Sequence, residues 1–187
     1  MRKIKAAVFA SGTGSNFQAI MEKRDLHCEV VLLVCDKQGA GVIRKAEKYD
    51  VPVLEFNPKS YASKAEYEAM LVEKLMEAGV TWIFLAGYMR IAGPVLLQAF
   101  ENNIINIHPS LLPDFPGKDA IGQAYAAGVG KTGVTVHYID EGIDTGPIIA
   151  QEGVAVLPDD TEEALKKRIQ DVEHQLYPEV INRLVRE

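Results

Sequence analysis

Asn106 and His108 are the residues of this chain best placed, by type and spacing, to do chemistry. They interrupt the run Ile104-Ile-Asn-Ile-His108, which is otherwise apolar and β-branched and reads as a buried strand. Side chains alternate between the faces of a strand, so residues two apart point the same way. A neutral amide and a titratable imidazole then stand together at the strand's C-terminal end. Pro109 disfavours helical backbone at His108 and holds it extended. Pro113, Pro116 and Gly117 stiffen the exit, and the Leu112–Pro113 bond is open to the cis form. An amide donor beside an imidazole suits a developing oxyanion and a proton in transit. Taken alone, such a pair is more often a satisfied core asparagine beside a loop histidine.

The elements that must position this pair follow from periodicity. Ile4–Ala10 reads as a first strand running into Ser11-Gly-Thr-Gly-Ser-Asn16. Ser15 and Gln18 have the spacing of a capping box, and Phe17, Ile20 and Met21 give the next helix an apolar face. A glycine turn at a helix N-terminus offers free N–H groups to a phosphate, or is simply a tight capped turn. Glu29–Cys35 is a second strand, Gly41–Tyr49 a short helix and Pro52–Phe56 a third strand. Asp36 lies where a dinucleotide site would carry its acid, but Phe17 occupies the third glycine's place, so Asp36 reads as a loop acid. Tyr61–Ala78 is an amphipathic helix ended by Gly79, and Thr81–Ala86 a short apolar strand.

The strand over Thr81–Ala86 exits through Gly87-Tyr-Met-Arg-Ile-Ala-Gly-Pro94, where Arg90 is the one charge in a long apolar context. Asp119–Gly128 is helical, Thr132–Tyr138 a strand with His137 as a structural residue, and Ile148–Val156 the closing strand. Between the last two lies Asp140-Glu-Gly-Ile-Asp-Thr-Gly-Pro147, a glycine-shaped acidic loop containing Asp144. The final helix starts near Pro158-Asp-Asp-Thr-Glu-Glu163 and carries the stripe Leu165, Ile169, Val172, Leu176, Val180 and Leu184. Glu173 flanks that stripe and by periodicity alone is a surface acid.

The chain has the length of one α/β domain. A net charge of −6 gives no electrostatic footprint for nucleic acid or an anionic membrane. The two cysteines, Cys28 and Cys35, form no metal-binding pattern and read as reduced thiols of a cytoplasmic protein. The N-terminal apolar run is too short for a signal peptide, and no stretch is long enough to span a bilayer.

Four segments together resemble the folate-dependent formyltransferases: Ser11–Asn16, Leu85-Ala-Gly-Tyr-Met-Arg-Ile91, Asn106-Ile-His-Pro-Ser-Leu-Leu-Pro113 and Asp140–Pro147. They stand in that family's order and spacing over essentially the whole chain. The resemblance implies a single domain, 1–187, of Rossmann-like three-layer α/β fold, with a mostly parallel central sheet and helices on both faces. It implies a phosphate-binding half over about 1–100 and a catalytic, folate-binding half over 101–187. The reaction implied is formyl transfer from 10-formyltetrahydrofolate, a co-substrate, to the amine of glycinamide ribonucleotide in purine biosynthesis. No metal, nucleic acid or membrane is expected to be involved, and the protein is expected to be a monomer or weak homodimer in the cytoplasm.

Carried over residue by residue, Asn106, His108 and Asp144 are catalytic, with Asp144 supporting the charged imidazole and a water relay. Gly14, Ser15 and Asn16 hold the ribonucleotide phosphate, and Asn106 and Glu173 also meet that substrate. Lys64, Met89, Arg90, Ile91 and Ala92, with Asp140, Glu141, Gly142, Ile143 and Asp144, line the folate site. The sequence departs from the family pattern at Ala92, where a larger leucine is usual, and at Gly117-Lys-Asp-Ala-Ile-Gly122, usually richer in histidine.

Related enzymes that formylate methionyl-tRNA or hydrolyse formyl folate resemble the chain less, since both carry a further domain. Outside the family, a nicotinamide oxidoreductase would use the glycine turn and Asp36 but leave Asn106, His108 and Asp144 without a joint role. A non-catalytic ligand-binding module would keep the turn and tolerate loss of His108.

Overall fold

Seven strands form one sheet in the computed structural model, which describes residues 2–186. They are β1 (Ile4–Ala10), β2 (Cys28–Cys35), β3 (Val53–Glu55), β4 (Trp82–Leu85), β5 (Ile104–His108), β6 (Lys131–Tyr138) and β7 (Ile148–Ala155). Their order is β3-β2-β1-β4-β5-β6-β7. The first five are parallel, while β6 and β7 are antiparallel additions at one edge. The helices are α1 (Ser15–Glu22), α2 (Gly41–Lys48), α3 (Lys64–Glu77), α4 (Pro94–Ala99), α5 (Ala120–Ala126) and α6 (Glu162–Leu184). A 3-10 turn occupies Pro58–Ser60.

Strand β1 shows why the architecture has three layers. Its whole apolar run is buried, with Ala6, Val8 and Ala10 in one core and Ala7 and Phe9 in the other. Period-two alternation between two apolar faces requires helices on both sides. The first core is completed by Phe17 and Ile20 of α1, Val42 and Ala46 of α2 and the buried side of α6. Tyr67, Leu71 and Leu75 of α3, with Leu96 of α4, complete the second. The chain runs from β1 outward to β3 and then crosses back to β4, so the sheet's topological switch lies between β1 and β4, where α/β sheets bind ligands.

Local signals decide the ends of these elements. Gly14 is the N-cap of α1 and has φ 78°, a left-handed backbone. A Cβ there would lie 2.5 Å from Val42 Cγ2, so only glycine fits this turn against α2. That geometry overturns the capping box expected at Ser15, which is already the first helical residue. Gln18 instead donates its side-chain amide to Glu22 Oε1 at 2.8 Å. Among the described residues, no side chain makes the N-cap hydrogen bond of α1. Helix α3 starts later than periodicity predicts, because Ser63 Oγ accepts the Glu66 N–H at 3.2 Å and forms the true cap.

The buried face of α6 is rotated from the predicted stripe. Leu165, Ile169 and Val180 are buried as expected, but Glu173, Tyr177 and Ile181 share that face. Tyr177 explains the rotation: its hydroxyl donates to the Leu85 carbonyl at 2.7 Å and ties α6 to β4 and β5. Glu173, about one turn earlier, is carried inward with it.

Candidate functional site

Asn106 and His108 occupy one face of β5, as the spacing predicts, and antiparallel pairing sets His137 of β6 opposite Asn106. The chain beyond His108 is fastened from below by Thr135. Its hydroxyl donates to Ser110 O at 2.7 Å and accepts the Leu112 N–H at 3.1 Å. Gln151 of β7 adds bonds to Leu112 O and to the Thr135 hydroxyl. The Leu112–Pro113 bond is cis.

The loop after β6 folds back so that Asp144, at φ 54°, reaches the same face. Its carboxylate accepts the Gly117 N–H at 2.8 Å. Asp144 Oδ2 lies 3.5 Å from His108 Nδ1, and Oδ1 lies 3.7 Å from His137 Nε2. His108 Nε2 is 2.9 Å from the Phe115 carbonyl. Both ring nitrogens of His108 therefore face oxygen acceptors. His108 is 5% exposed, and in so dry a place its pairing with Asp144 counts for more than at a surface.

His137, read from the sequence as structural, belongs to the same cluster. It is completely buried, and Nδ1 lies 2.9 Å from Tyr138 O. Burial lowers the pKa of its imidazolium, outweighing the Tyr138 carbonyl and Asp144, which raise it. The neutral ring then donates from Nδ1 and presents the Nε2 lone pair, 3.4 Å from Asn106 Nδ2. His137 thus fixes which way the Asn106 amide turns and leaves its second N–H to face outward. Only strand register carries this signal, and register is not readable from the β6 residues alone.

The proposed ribonucleotide residues also meet. Gly14, Ser15 and Asn16 form the start of α1, and the Asn16 side chain lies beside Glu173. Asn16 Oδ1 is buried without a hydrogen-bond partner among the described residues. Glu173 is 7% exposed, which corrects its reading as a surface acid. Burial pushes its carboxyl up to about 7, against an ordinary value near 4.5, while Asn16 pulls it partly back. The raised value means that the folded state favours the neutral acid. Stability is therefore lost as pH rises from about 4.5 to about 7 and is level above. Glu173→Gln is expected to be more stable than the parent at about pH 8, by up to about 3 kcal/mol, and similar near pH 4. Urea unfolding across that range is the check, and an unchanged pH dependence in the variant would remove Glu173 as its source.

The proposed folate residues form two loops. Met89 and Ile91 are exposed apolar side chains, 64% and 47%, and Ala92 is buried. Arg90 Nε donates to Asp36 at 2.8 Å, so Asp36, in the loop after β2 as the sequence suggested, is a buried ion-pair partner. Lys64 Nζ donates to the Ile91 carbonyl at 2.9 Å, which places it on the Met89–Ala92 loop. In the second loop, Asp140 accepts from the Thr145 hydroxyl and the Gly142 N–H, and these bonds lower its pKa. Glu141, Gly142 and Ile143 are exposed. Among the described residues, no cluster of three or more His, Cys, Asp or Glu side chains could hold a metal, and no helix is long and apolar enough to cross a membrane.

A family model described as formyl transferase matches residues 4–181. The phosphoribosylglycinamide formyltransferase of Bacillus subtilis is 53% identical over 184 residues, covering 97% of this chain and 94% of that protein. The crystal structure of glycinamide ribonucleotide transformylase 1 from Geobacillus kaustophilus superposes with a TM-score of 0.96 at 56% identity, covering 98% of this chain and 100% of that one. Part of the trifunctional purine biosynthetic protein adenosine-3 of Drosophila melanogaster is 41% identical over 189 residues, 98% of this chain and 14% of that protein.

Proposed function

The chain belongs to the formyl transferase family, and we propose that Asn106, His108 and Asp144 are its catalytic groups for moving a formyl group from 10-formyltetrahydrofolate to glycinamide ribonucleotide. The products are formylglycinamide ribonucleotide and tetrahydrofolate, and the step belongs to purine biosynthesis. The observation that carries the residue assignment is the convergence of an amide, an imidazole and a carboxylate, from β5 and a distant loop, on one sheet face.

The amine of the ribonucleotide attacks the formyl carbon, a new C–N bond forms, and the carbonyl π electrons move onto oxygen. The outward N–H of Asn106 donates to that oxyanion, and the His108 imidazolium supplies positive charge beside it. Substrate binding replaces the Phe115 carbonyl at His108 Nε2. Collapse of the tetrahedral intermediate breaks the bond to the folate nitrogen, which takes up a proton equivalent to the one the attacking amine gives up. Asp144 holds His108 through Nδ1 and positions a water for that relay.

Gly14, Ser15 and Asn16 bind the phosphate with the free N–H groups of α1, and Glu173 contacts the nucleotide beside them. Met89–Ala92, Lys64 and the Asp140–Asp144 segment line the folate site. The phosphate-binding half is then about 1–100 and the catalytic half 101–187, with Glu173 of the second reaching the turn of the first. The partners are the two small molecules. The net charge of −6 opposes a polyanionic substrate, and the protein works in the cytoplasm as a monomer or weak homodimer.

Deformylation of 10-formyltetrahydrofolate, followed with and without glycinamide ribonucleotide, tests the reading. Turnover is expected only with the ribonucleotide. Turnover without it would mean water or another amine is the acceptor, and no turnover under either condition would overturn the reaction.

A further inference from the structure

The loop that follows β4 is held by a buried carboxylate to which the reaction gives no role. Asp36 comes one residue after β2, and its side chain is 1% exposed. One of its oxygens accepts the Ser11 hydroxyl and the other accepts Arg90 Nε at 2.8 Å. Ser11 follows β1, and its oxygen also accepts the Met89 N–H at 3.0 Å. The Ser11 N–H donates to Gly87 O at 3.0 Å. Strands β2, β1 and β4 are neighbours in the sheet, so their C-terminal ends bring Asp36, Ser11 and the Gly87–Gly93 segment together at the topological switch.

The chemistry of these bonds gives Asp36 a definite task. A hydroxyl has one proton, so giving it to Asp36 turns a Ser11 lone pair toward the Met89 N–H. The second carboxylate oxygen holds the Arg90 side chain on the inner side of the loop. A carboxylate so far from water is tolerable only with such partners, which makes the arrangement all-or-none. The other end of the loop is held separately, by Lys64 on Ile91 O and by Glu68 on the Gly93 N–H at 2.8 Å.

We propose that Asp36 is a positioning residue for the formyl folate: through Ser11 and Arg90 it sets the backbone of Met89 and Arg90 against which the folate binds. The proposal rests on the assignment of Met89–Ala92 to the folate site. Asp36 touches no reacting atom, so its loss weakens folate binding and leaves the chemical step intact.

Asp36→Asn keeps the size of the side chain but has one carbonyl oxygen to share between Ser11 and Arg90. Its KM for 10-formyltetrahydrofolate is expected to rise about tenfold, the loss of one charge-assisted hydrogen bond. The kcat at saturation and the KM for glycinamide ribonucleotide should stay within roughly twofold. Ser11→Ala, which removes the acceptor of the Met89 N–H, should move the folate KM in the same direction. Because Asp36 and Arg90 act as one unit, the double variant Asp36→Asn/Arg90→Ala should be no worse than the worse single variant. An unchanged folate KM in both Asp36→Asn and Ser11→Ala, multiplicative effects in the double variant, or a loss confined to kcat would each overturn the proposal. Calorimetric titration with tetrahydrofolate separates this from the assignment of the reaction. Wild-type protein that binds tetrahydrofolate but does not turn over would overturn the reaction alone, and weaker binding by Asp36→Asn would still support the positioning role.

Discussion

Asn106→Ala is expected to lower kcat by about 10²- to 10³-fold, the usual consequence of removing one oxyanion donor. The Asn106 amide meets His137 Nε2 at 3.4 Å, and that ring is locked by its own bond to Tyr138. One N–H is spent on His137, which leaves the other aimed and unable to swing away. A donor fixed in advance has no reorganisation to undergo as charge develops, so its effect falls on the transition state and not on the ground state. The KM for glycinamide ribonucleotide should therefore change far less than kcat. Asn106→Asp is the sharper variant, since it keeps the volume, removes the donor and places negative charge where the oxyanion forms. Steady-state kinetics of both variants, with folding checked by thermal melting, decide the matter. A pure KM effect with normal kcat would show that Asn106 binds substrate and does not stabilise the transition state.

His108→Asn is expected to cost about 10²- to 10⁴-fold in kcat, the range for a positioned acid or base. The structural reason lies in the 3.5 Å approach of Asp144 to Nδ1 and in the seclusion of both groups. Asp144→Asn should also cost kcat, because an amide gives no counter-charge to the imidazolium, although it can still accept the Gly117 N–H. The stronger expectation concerns the double variant. Groups that act as a unit lose their joint effect once either is gone, so His108→Asn/Asp144→Asn should be scarcely slower than the slower single variant. Losses that multiply would show that the two residues work independently.

Legibility in the sequence followed the range of each interaction. Asn106 and His108 were visible because strand periodicity is local: two residues apart on an extended run must share a face. Gly14 was visible for the same reason, since a glycine between a strand and a helix signals a turn before any tertiary contact exists. Ser15 and Gln18 have capping-box spacing without forming the box, because spacing alone does not fix which residue is the N-cap. Gly14 holds the cap position instead, and the close approach of Val42, from another helix, leaves no room for a Cβ there.

Charged residues were the hardest to place. Asp36, Glu68 and Glu173 all lie in stretches where an acid ordinarily faces water, and all three are buried. Each is buried against a partner far along the chain: Asp36 against Ser11 and Arg90, Glu68 against the Gly93 N–H, Glu173 against Asn16. Nothing in the local pattern marks such an acid, because its compensation comes from elements that only the fold brings near. His137 is the same case in the sheet, where the antiparallel register at the edge put it beside Asn106.

By itself, then, the sequence determined the alternation of strands and helices, the glycine turn and the Asn106–His108 pair, because these depend on periodicity and backbone preference within a few residues. The tertiary structure decided the rest. It decided which loop brings Asp144 to His108, which histidine orients Asn106, and which buried acids lie under the loop after β4 and the turn before α1. Burial of a charge is affordable only where distant groups converge on it, and that convergence exists nowhere until the chain has folded.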